Sequence, residues 1–521
     1  MNTSAFIGYL RRLPSYQGQI AHIESIPARE PSYAELDRPL PPTLEARLRS
    51  SGQLPLYTHQ AATVKAARQG GNVMVATSSA SGKTLCYNLA VLEAILAERG
   101  SRALYIFPTK ALAQDQLRGL RQLACPDMLG LDEILTFDGD TPAGERAEIK
   151  RKAKVLLTNP DMLHVGILPN HGSWSRLLRR LRYVVVDEAH IYRGIFGSHV
   201  AQVLRRLRRL CALYGSNPQF ILCSATIANP GEHAQGLVGL PFEVVANDGS
   251  PHGGKDFVFW NPPIIEATEG KRRSANSEAT TLFTELVRHD IRSLAFARSR
   301  RLTELIYIYS RDLLAEADPQ RAGRIKPYRA GYLAEARRRT EQELFHGQLL
   351  GVVATTALEL GVDIGDLEAT VLTGYPGSIA SAWQQAGRSG RGRQRSLSFL
   401  IGLDNPLDQY FMRHPEAFFH KTFEHALINP ANPHILKPHL LCAAWELPLA
   451  HEDEELFGTG SGQARRELEE EGRLRCREAT VRPEQGRKRW YPLPGIAYPA
   501  QEVNIRSVSG KSYAVVDASR G

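Results

Sequence analysis

Cysteine is scarce and scattered in this chain. The six among 521 residues stand at 86, 125, 211, 223, 442 and 476, and none forms a CxxC pair. That pattern argues against a zinc knuckle or a disulfide framework and fits a reducing cytoplasm. No run of about 18 uninterrupted apolar residues exists, and residues 1–10 lack a signal-peptide core, so the chain reads as cytoplasmic, neither secreted nor membrane-spanning. No internal repeat with a period of about 20–50 residues is visible. Neither sign of charge dominates: 64 Lys and Arg against 55 Asp and Glu leave +9, a mild excess that suits a polyanionic partner without requiring one. The remainder is ordinary globular protein, 43% hydrophobic and 23% charged, with enough chain for three or four domains.

Four regions follow from the texture. Residues 1–50 are rich in proline and mixed charge, and read as an extension packed on the first lobe. From 51 to 262, short apolar runs at 73–76, 103–107, 155–157, 183–186 and 220–223 are each followed by polar turns and helical periodicity, the mark of a parallel sheet wrapped by helices. Residues 247–277, with Gly253-Gly254 and Pro262-Pro263, read as an inter-lobe linker. Alternation resumes over 263–402, with strands expected at 293–296, 351–354, 369–372 and 397–401. Residues 403–521 turn helical and proline-rich, with a helix at 435–447 and short strands in 488–517. They are read as an accessory, winged-helix-like module. The expected fold is therefore α/β, two tandem RecA-like parallel-sheet domains followed by a mostly helical C-terminal module.

The chemistry lies in short segments in fixed order. Between the 73–76 strand and an amphipathic helix lies Thr77-Ser78-Ser79-Ala80-Ser81-Gly82-Lys83-Thr84. Backbone N–H groups of such a loop cradle phosphates, Lys83 would neutralise the β- and γ-phosphates, and Thr84 would ligate Mg²⁺. Thr77 and Ala80 stand where glycines are common. Asp187-Glu188-Ala189-His190 ends an apolar strand, where both carboxylates would project into the crevice of an open sheet. Asp187 would hold Mg²⁺ through water and Glu188 would activate the attacking water. His190 would couple this segment to Ser224-Ala225-Thr226, which follows its own strand. Arg388 and Arg391, three apart in Gln384-Gln385-Ala386-Gly387-Arg388-Ser389-Gly390-Arg391, would meet the charge that spreads over a transferring γ-phosphate. Together these segments imply ATP hydrolysis in a cleft between two lobes.

These residues resemble those of the superfamily 2 DNA and RNA helicases, over about residues 55–400. Leu56-Tyr57-Thr58-His59-Gln60 is similar to the adenine-reading Q motif, with Tyr57 and Gln60 as nucleotide contacts. Pro108-Thr109-Lys110-Ala111-Leu112, Thr158-Asn159-Pro160-Asp161, Phe296-Ala297-Arg298-Ser299 and the segment from Ala354 to Asp363 resemble motifs Ia, Ib, IV and V. The resemblance implies nucleotide contacts at Ser79, Ala80, Ser81, Gly82, Asp363 and Gln384. Ala80-Ser81-Gly82-Lys83-Thr84-Leu85-Cys86-Tyr87-Asn88, Tyr328-Arg329-Ala330-Gly331-Tyr332 and His439-Leu440-Leu441-Cys442-Ala443-Ala444-Trp445-Glu446 resemble the bacterial YprA branch, the mitomycin repair factor A helicases. That branch implies an ATP-dependent 3′-to-5′ DNA helicase in repair, using ATP and Mg²⁺ on single-stranded or tailed duplex DNA, with a repair protein such as a nuclease as partner. Its members continue into a region with a four-cysteine zinc site. No matching cysteines precede Gly521, so no zinc site is expected within this chain, and the remaining part is read as lost or carried by another polypeptide.

Nucleic-acid contacts are expected from Thr109, Lys110 and Thr158 in the first lobe and from Thr355 and Thr356 in the second, through sequence-blind phosphate bonds. Arg205, Arg206, Arg208 and Arg209 crowd one side of an expected helix at 198–214 and read as a solvated face rather than a duplex contact. Histidines 414, 420, 425, 434 and 439 lack zinc-like spacing and read as surface or packing residues. Trp383 could stack a base or serve a core. An RNA helicase, or a clamp that binds nucleic acid without hydrolysis, remains the alternative.

Overall fold

The computed structural model describes residues 3–266, 270–329, 331–359, 364–390, 394–420, 423–458, 460–478, 487–499 and 503. The chain divides into two compact units. One comprises Met1–Tyr33, Ser78–Ser81 and Gly249–Glu424; the other comprises Ala34–Thr77, Gly82–Asp248 and His425–Gly521.

In the second of these units a seven-stranded sheet runs in the order Ile134–Thr136, Val155–Thr158, Arg102–Ile106, Leu181–Val186, Gln219–Ser224, Val73–Ala76 and Glu243–Val245. Every pairing is parallel. The central strands are buried on both faces, which explains their continuous apolar runs. One core forms around Val73, Leu89, Tyr105 and Val185, and the opposite one around Leu104, Trp174, Val184 and Leu207. Parallel order places all C-terminal strand ends along one edge, which is where the phosphate loop and Asp187 emerge.

The other unit holds a second seven-stranded sheet: Ile20–Ile26, Lys255–Trp260, Ser396–Ile401, Ala369–Thr373, Ser293–Phe296, Gly351–Ala354 and Ile325–Tyr328. Only Ile20–Ile26 is antiparallel. Two expectations change here. Residues 1–33 pack with this sheet rather than on the first lobe. Ile20–Ile26 hydrogen-bonds the free edge of Lys255–Trp260, and Phe6 and Leu10 enter the core beside Val258 and Trp260. Only the later part of the extension, where Leu44 and Leu48 on the Pro42–Ser50 helix are buried, joins the first sheet. Residues 255–260 are not linker: the run Phe257-Val258-Phe259-Trp260 forms a strand parallel to Ser396–Ile401. The divide between the units therefore falls at 248/249 instead of 262/263.

The C-terminal segment has its own apolar cluster, including Leu436, Leu440, Phe457, Leu468, Leu474 and Trp490. Helices Pro433–Glu446 and Ser461–Glu470 precede an antiparallel hairpin of Leu474–Glu478 with Lys488–Pro492, the order of a winged helix. Of the strands expected in 488–517, residues 500–502 and 504–517 lie outside the described residues. This module packs on the helix Gly194–Leu213 and overturns the solvated reading of its arginines. Arg205, Arg206 and Arg209 are buried. Arg209 donates to the Ala443 carbonyl and pairs with Asp453, while Arg206 pairs with Glu446.

Candidate ATP and nucleic-acid site

The phosphate loop starts at the end of the Val73–Ala76 strand and ends at the N-terminus of the helix Lys83–Ala97. Two of its residues sit in the left-handed region, Ala80 at φ +63° and Gly82 at φ +80°. Glycine takes this region freely, whereas Ala80 pays a steric penalty, so its place in the loop is a strained one. A Cβ on Gly82 would come within 2.8 Å of Gln60 Nε2. The Lys83 ammonium folds back to donate to the Thr77 carbonyl at 3.1 Å. Ser79 is half-buried and Ser81 buried. Gln60 binds the loop from the side: its Oε1 accepts from the Tyr57 N–H at 3.0 Å and its Nε2 donates to the Gly82 carbonyl at 3.2 Å. Tyr57 lies nearly parallel to the His59 ring, with centroids 5.9 Å apart.

Asp187 follows the Leu181–Val186 strand on the same sheet edge. One carboxylate oxygen accepts from the Glu188 N–H at 2.9 Å and the other from the Tyr87 hydroxyl at 3.2 Å. Burial first, and the neighbouring Glu188 charge second, push the Asp187 carboxyl up to about 7, against the pull of Lys83 and its two donors. A buried carboxylate with raised proton affinity beside a second acid is what a divalent cation relieves, and with Thr84 nearby on the adjoining helix these residues fit Mg²⁺. Glu188 is held at φ +51°, strained backbone of the kind that clusters at functional sites.

His190 is buried, and its Nδ1 accepts from the Ala225 N–H at 3.3 Å. That bond assigns the proton to Nε2 and weakens the 3.5 Å approach of Nδ1 to Glu188 Oε2, since two acceptors then face each other. The acidic segment is thereby tied to Ser224-Ala225-Thr226. The Ser224 hydroxyl turns to the Ala225 carbonyl, and Thr226 is half-exposed.

The expected phosphate contacts differ among themselves. Lys110 is exposed and pairs with Asp140 at 2.6 Å, while the Thr109 hydroxyl accepts from Leu112 N–H as a helix cap. Thr158 is turned inward: it is buried, and its hydroxyl donates to the Phe137 carbonyl at 2.7 Å, leaving no side-chain donor for a strand. Thr355 caps a short turn by accepting from Ala357 N–H, and Thr356 is exposed. Trp383 lies against Phe257, Phe418 and Phe419, an aromatic core role in its own unit.

In the arginine segment, Arg388 is buried and donates to the Glu359 carbonyl, with Nε at 3.1 Å. The Glu359 carboxylate accepts from Ser381 and Gln385, at 2.6 and 2.9 Å, and Gln384 is buried beside them. Arg391 and Asp363 lie outside the described residues. Sequence reasoning missed Lys255. Its ammonium lies within 2.8–3.3 Å of four oxygens, the carbonyls of Ala386 and Ser389 and the hydroxyls of Ser389 and Ser398. Burial pulls this ammonium down to about 7. It therefore pins the end of the helix that leads into the arginines. A lone lysine in an apparent linker carried no signal; recognising 255–260 as a strand would have supplied one.

Three family descriptions match: DEAD/DEAH box helicase over residues 57–233, Helicase conserved C-terminal domain over 278–393, and the ATP-dependent helicase HRQ1 winged helix domain over 428–508. YprA of Bacillus subtilis, described as an uncharacterized ATP-dependent helicase, is 44% identical over 487 residues, covering 92% of this chain and 63% of its own length. A crystal structure of the DUF1998 helicase MrfA bound to DNA and AMPPNP matches with a TM-score of 0.88 and 42% identity, over 97% of this chain and 68% of that one. The chain belongs to the superfamily 2 helicases, in the YprA/MrfA branch. ATP-dependent helicase HRQ1 of Saccharomyces cerevisiae is a further relative, 38% identical over 98% of this chain and 47% of its own length. The chain thus spans about half to two thirds of the curated relatives' length. The HRQ1 winged-helix match accords with the helix–helix–hairpin order of the C-terminal module.

Proposed function

We propose that this superfamily 2 chain is an ATP-dependent DNA helicase that moves 3′ to 5′ on single-stranded DNA and serves DNA repair. The observation that carries the ATPase part is the shared edge: Lys83 and the strand-end pair Asp187-Glu188 emerge from one sheet, with Lys83 close enough to lower the proton affinity of Asp187. Loop N–H groups and Lys83 bind the β- and γ-phosphates of ATP, and Gln60 ties the adenine-side segment to that loop. Bound Mg²⁺, held through Thr84 and Asp187, would offset phosphate charge. Glu188 orients the attacking water and takes its proton, and Arg388 and Arg391 meet the charge developing on the γ-phosphoryl group. Through its bond to Ala225, His190 couples the state of Glu188 to the segment after the next strand.

DNA as the substrate is supported by the related MrfA structure bound to DNA. Polarity and repair rest on the branch resemblance. Lys110 and Thr356, exposed at the first positions of a helix and a short helical turn, are proposed phosphate contacts. A directional assay with 3′- and 5′-tailed duplexes tests the reading. Unwinding of the 3′-tailed duplex alone is expected, and ATP turnover stimulated by RNA but not DNA would replace it with an RNA helicase.

A further inference from the structure

A basic cavity lies at the sheet edge opposite the ATP loop. It measures about 560 Å³ and is lined by Arg99, Arg102, Lys154, Arg176, Arg179 and Arg180. The first sheet's topology builds it. Lys154, Arg102 and Arg180 stand at the N-terminal starts of three adjacent parallel strands, joined by the bonds Ala103 N–H to Lys154 carbonyl at 2.8 Å and Arg102 N–H to Arg180 carbonyl at 2.9 Å. Thr158 and Asp187 lie at the other ends of these strands, roughly 13 Å from Lys154 and roughly 23 Å from Arg180 by strand rise. The cavity is therefore separate from the ATP site and from the expected strand contacts.

Most of its charges are not matched by acids. No carboxylate lines it, and among the described residues Arg99, Arg176, Arg179 and Arg180 make no ion pair; Lys154 alone has one, with Glu133 at 2.9 Å. Arg102 is buried, with 5% of its surface exposed, and donates to the Ala153 carbonyl. Burial, then the Arg176 and Arg180 charges, lower its proton affinity. Six cations gathered in one concavity repel one another, and a multiply charged anion removes that cost. The volume lies within the ligand-pocket range of about 300–1,000 Å³. Guanidinium forks favour phosphate oxygens in paired geometry.

We infer that this cavity binds a phosphate-bearing polyanion, with Arg102 and Lys154 at its floor and Arg99, Arg176, Arg179 and Arg180 at its rim. The phosphates could come from the backbone of a nucleic acid beyond the tracked strand or from a free oligophosphate. Titration calorimetry of the full chain with inorganic tripolyphosphate, and separately with tailed duplex DNA, compares wild type with R176A/R179A/R180A. R49A/R118A/R311A, which removes three exposed arginines elsewhere, is the charge control. The rim variant should weaken at least one ligand about 10-fold or more while the control does not, and nucleic-acid-free ATP turnover should be unchanged. Loss for DNA, with the slope of log K against log salt falling by about 2–3, assigns backbone phosphates. Loss for tripolyphosphate alone assigns a free oligophosphate. Unchanged binding of both ligands, or an equal loss in the control, overturns the inference.

Discussion

Replacing Arg206 with methionine should release the C-terminal module from the first sheet's unit. The guanidinium is fully buried. It donates to both oxygens of Glu446, one of them at 3.1 Å, and to the Tyr498 hydroxyl. Its Nη1 also meets Nδ1 of His164 at 3.0 Å and Nδ1 of His439 at 3.2 Å. Since arginine only donates, both imidazoles must carry their proton on Nε2, where His164 donates to the Val503 carbonyl and His439 to His199 Nδ1. Burial holds the three histidines neutral, at about 3 for His164, about 4 for His199 and well below the ordinary value for His439. Arg206 is thus the cation at the centre of a buried network, and Glu446 is its counter-charge. Removing one partner of a buried pair costs about 3–5 kcal/mol, whereas removing both is close to neutral. Native-state hydrogen exchange across Pro433–Glu446 should accelerate by about 10² to several 10³-fold in R206M, at a factor of ten per 1.4 kcal/mol. R206M/E446L should recover most of the protection. Wild-type exchange in R206M, or no recovery in the double variant, would refute this reasoning.

Three further outcomes are expected. Glu188→Gln keeps ATP affinity and loses turnover by at least about 10²-fold in a phosphate-release assay; near-wild-type turnover would remove Glu188 from its role. Lys255→Met leaves four oxygens without their shared donor and loosens the arginine segment, so kcat should fall about 10-fold with KM for ATP little changed, while a matched loss in KM alone would point elsewhere. The third is pH-dependent. Asp187 binds its proton more tightly folded, at about 7 against 3.8, so its contribution to stability is fully present below pH 3.8 and disappears as pH rises to about 7. The Tm of Asp187→Asn minus that of the wild type, without Mg²⁺, should therefore grow across that window, and a flat difference contradicts the shift. Taking the difference also cancels the buried histidines, whose effect runs the opposite way.

What the sequence revealed was what is local. The phosphate loop, the acidic strand end and the central parallel strands each carry their own pattern, because a strand buried on both faces is apolar throughout and a loop that must approach phosphate is small. Features built by distant partners were not legible. The arginines at 205, 206 and 209 look like the polar side of an amphipathic helix until distant partners bury them: the Gly236 and Leu237 carbonyls for Arg205, Glu446 and Tyr498 for Arg206, and Ala443 and Asp453 for Arg209. The Lys255–Trp260 strand hides between Gly253-Gly254 and Pro262-Pro263. Ile20–Ile26 alternates weakly because it is an edge strand, half-exposed along its length. Thr158 reads as a phosphate ligand by position, yet its hydroxyl satisfies Phe137. Lys255 acquires meaning only once the parallel sheet sets it beneath Ser389 and Ser398.

The most direct measurement is phosphate release by the full chain with Mg-ATP, with and without single-stranded DNA, beside Lys83→Ala. The account predicts DNA-stimulated turnover in the wild type that the variant loses to background. Equal release from both proteins, stimulated or not, would contradict it and leave a nucleic-acid clamp as the better description.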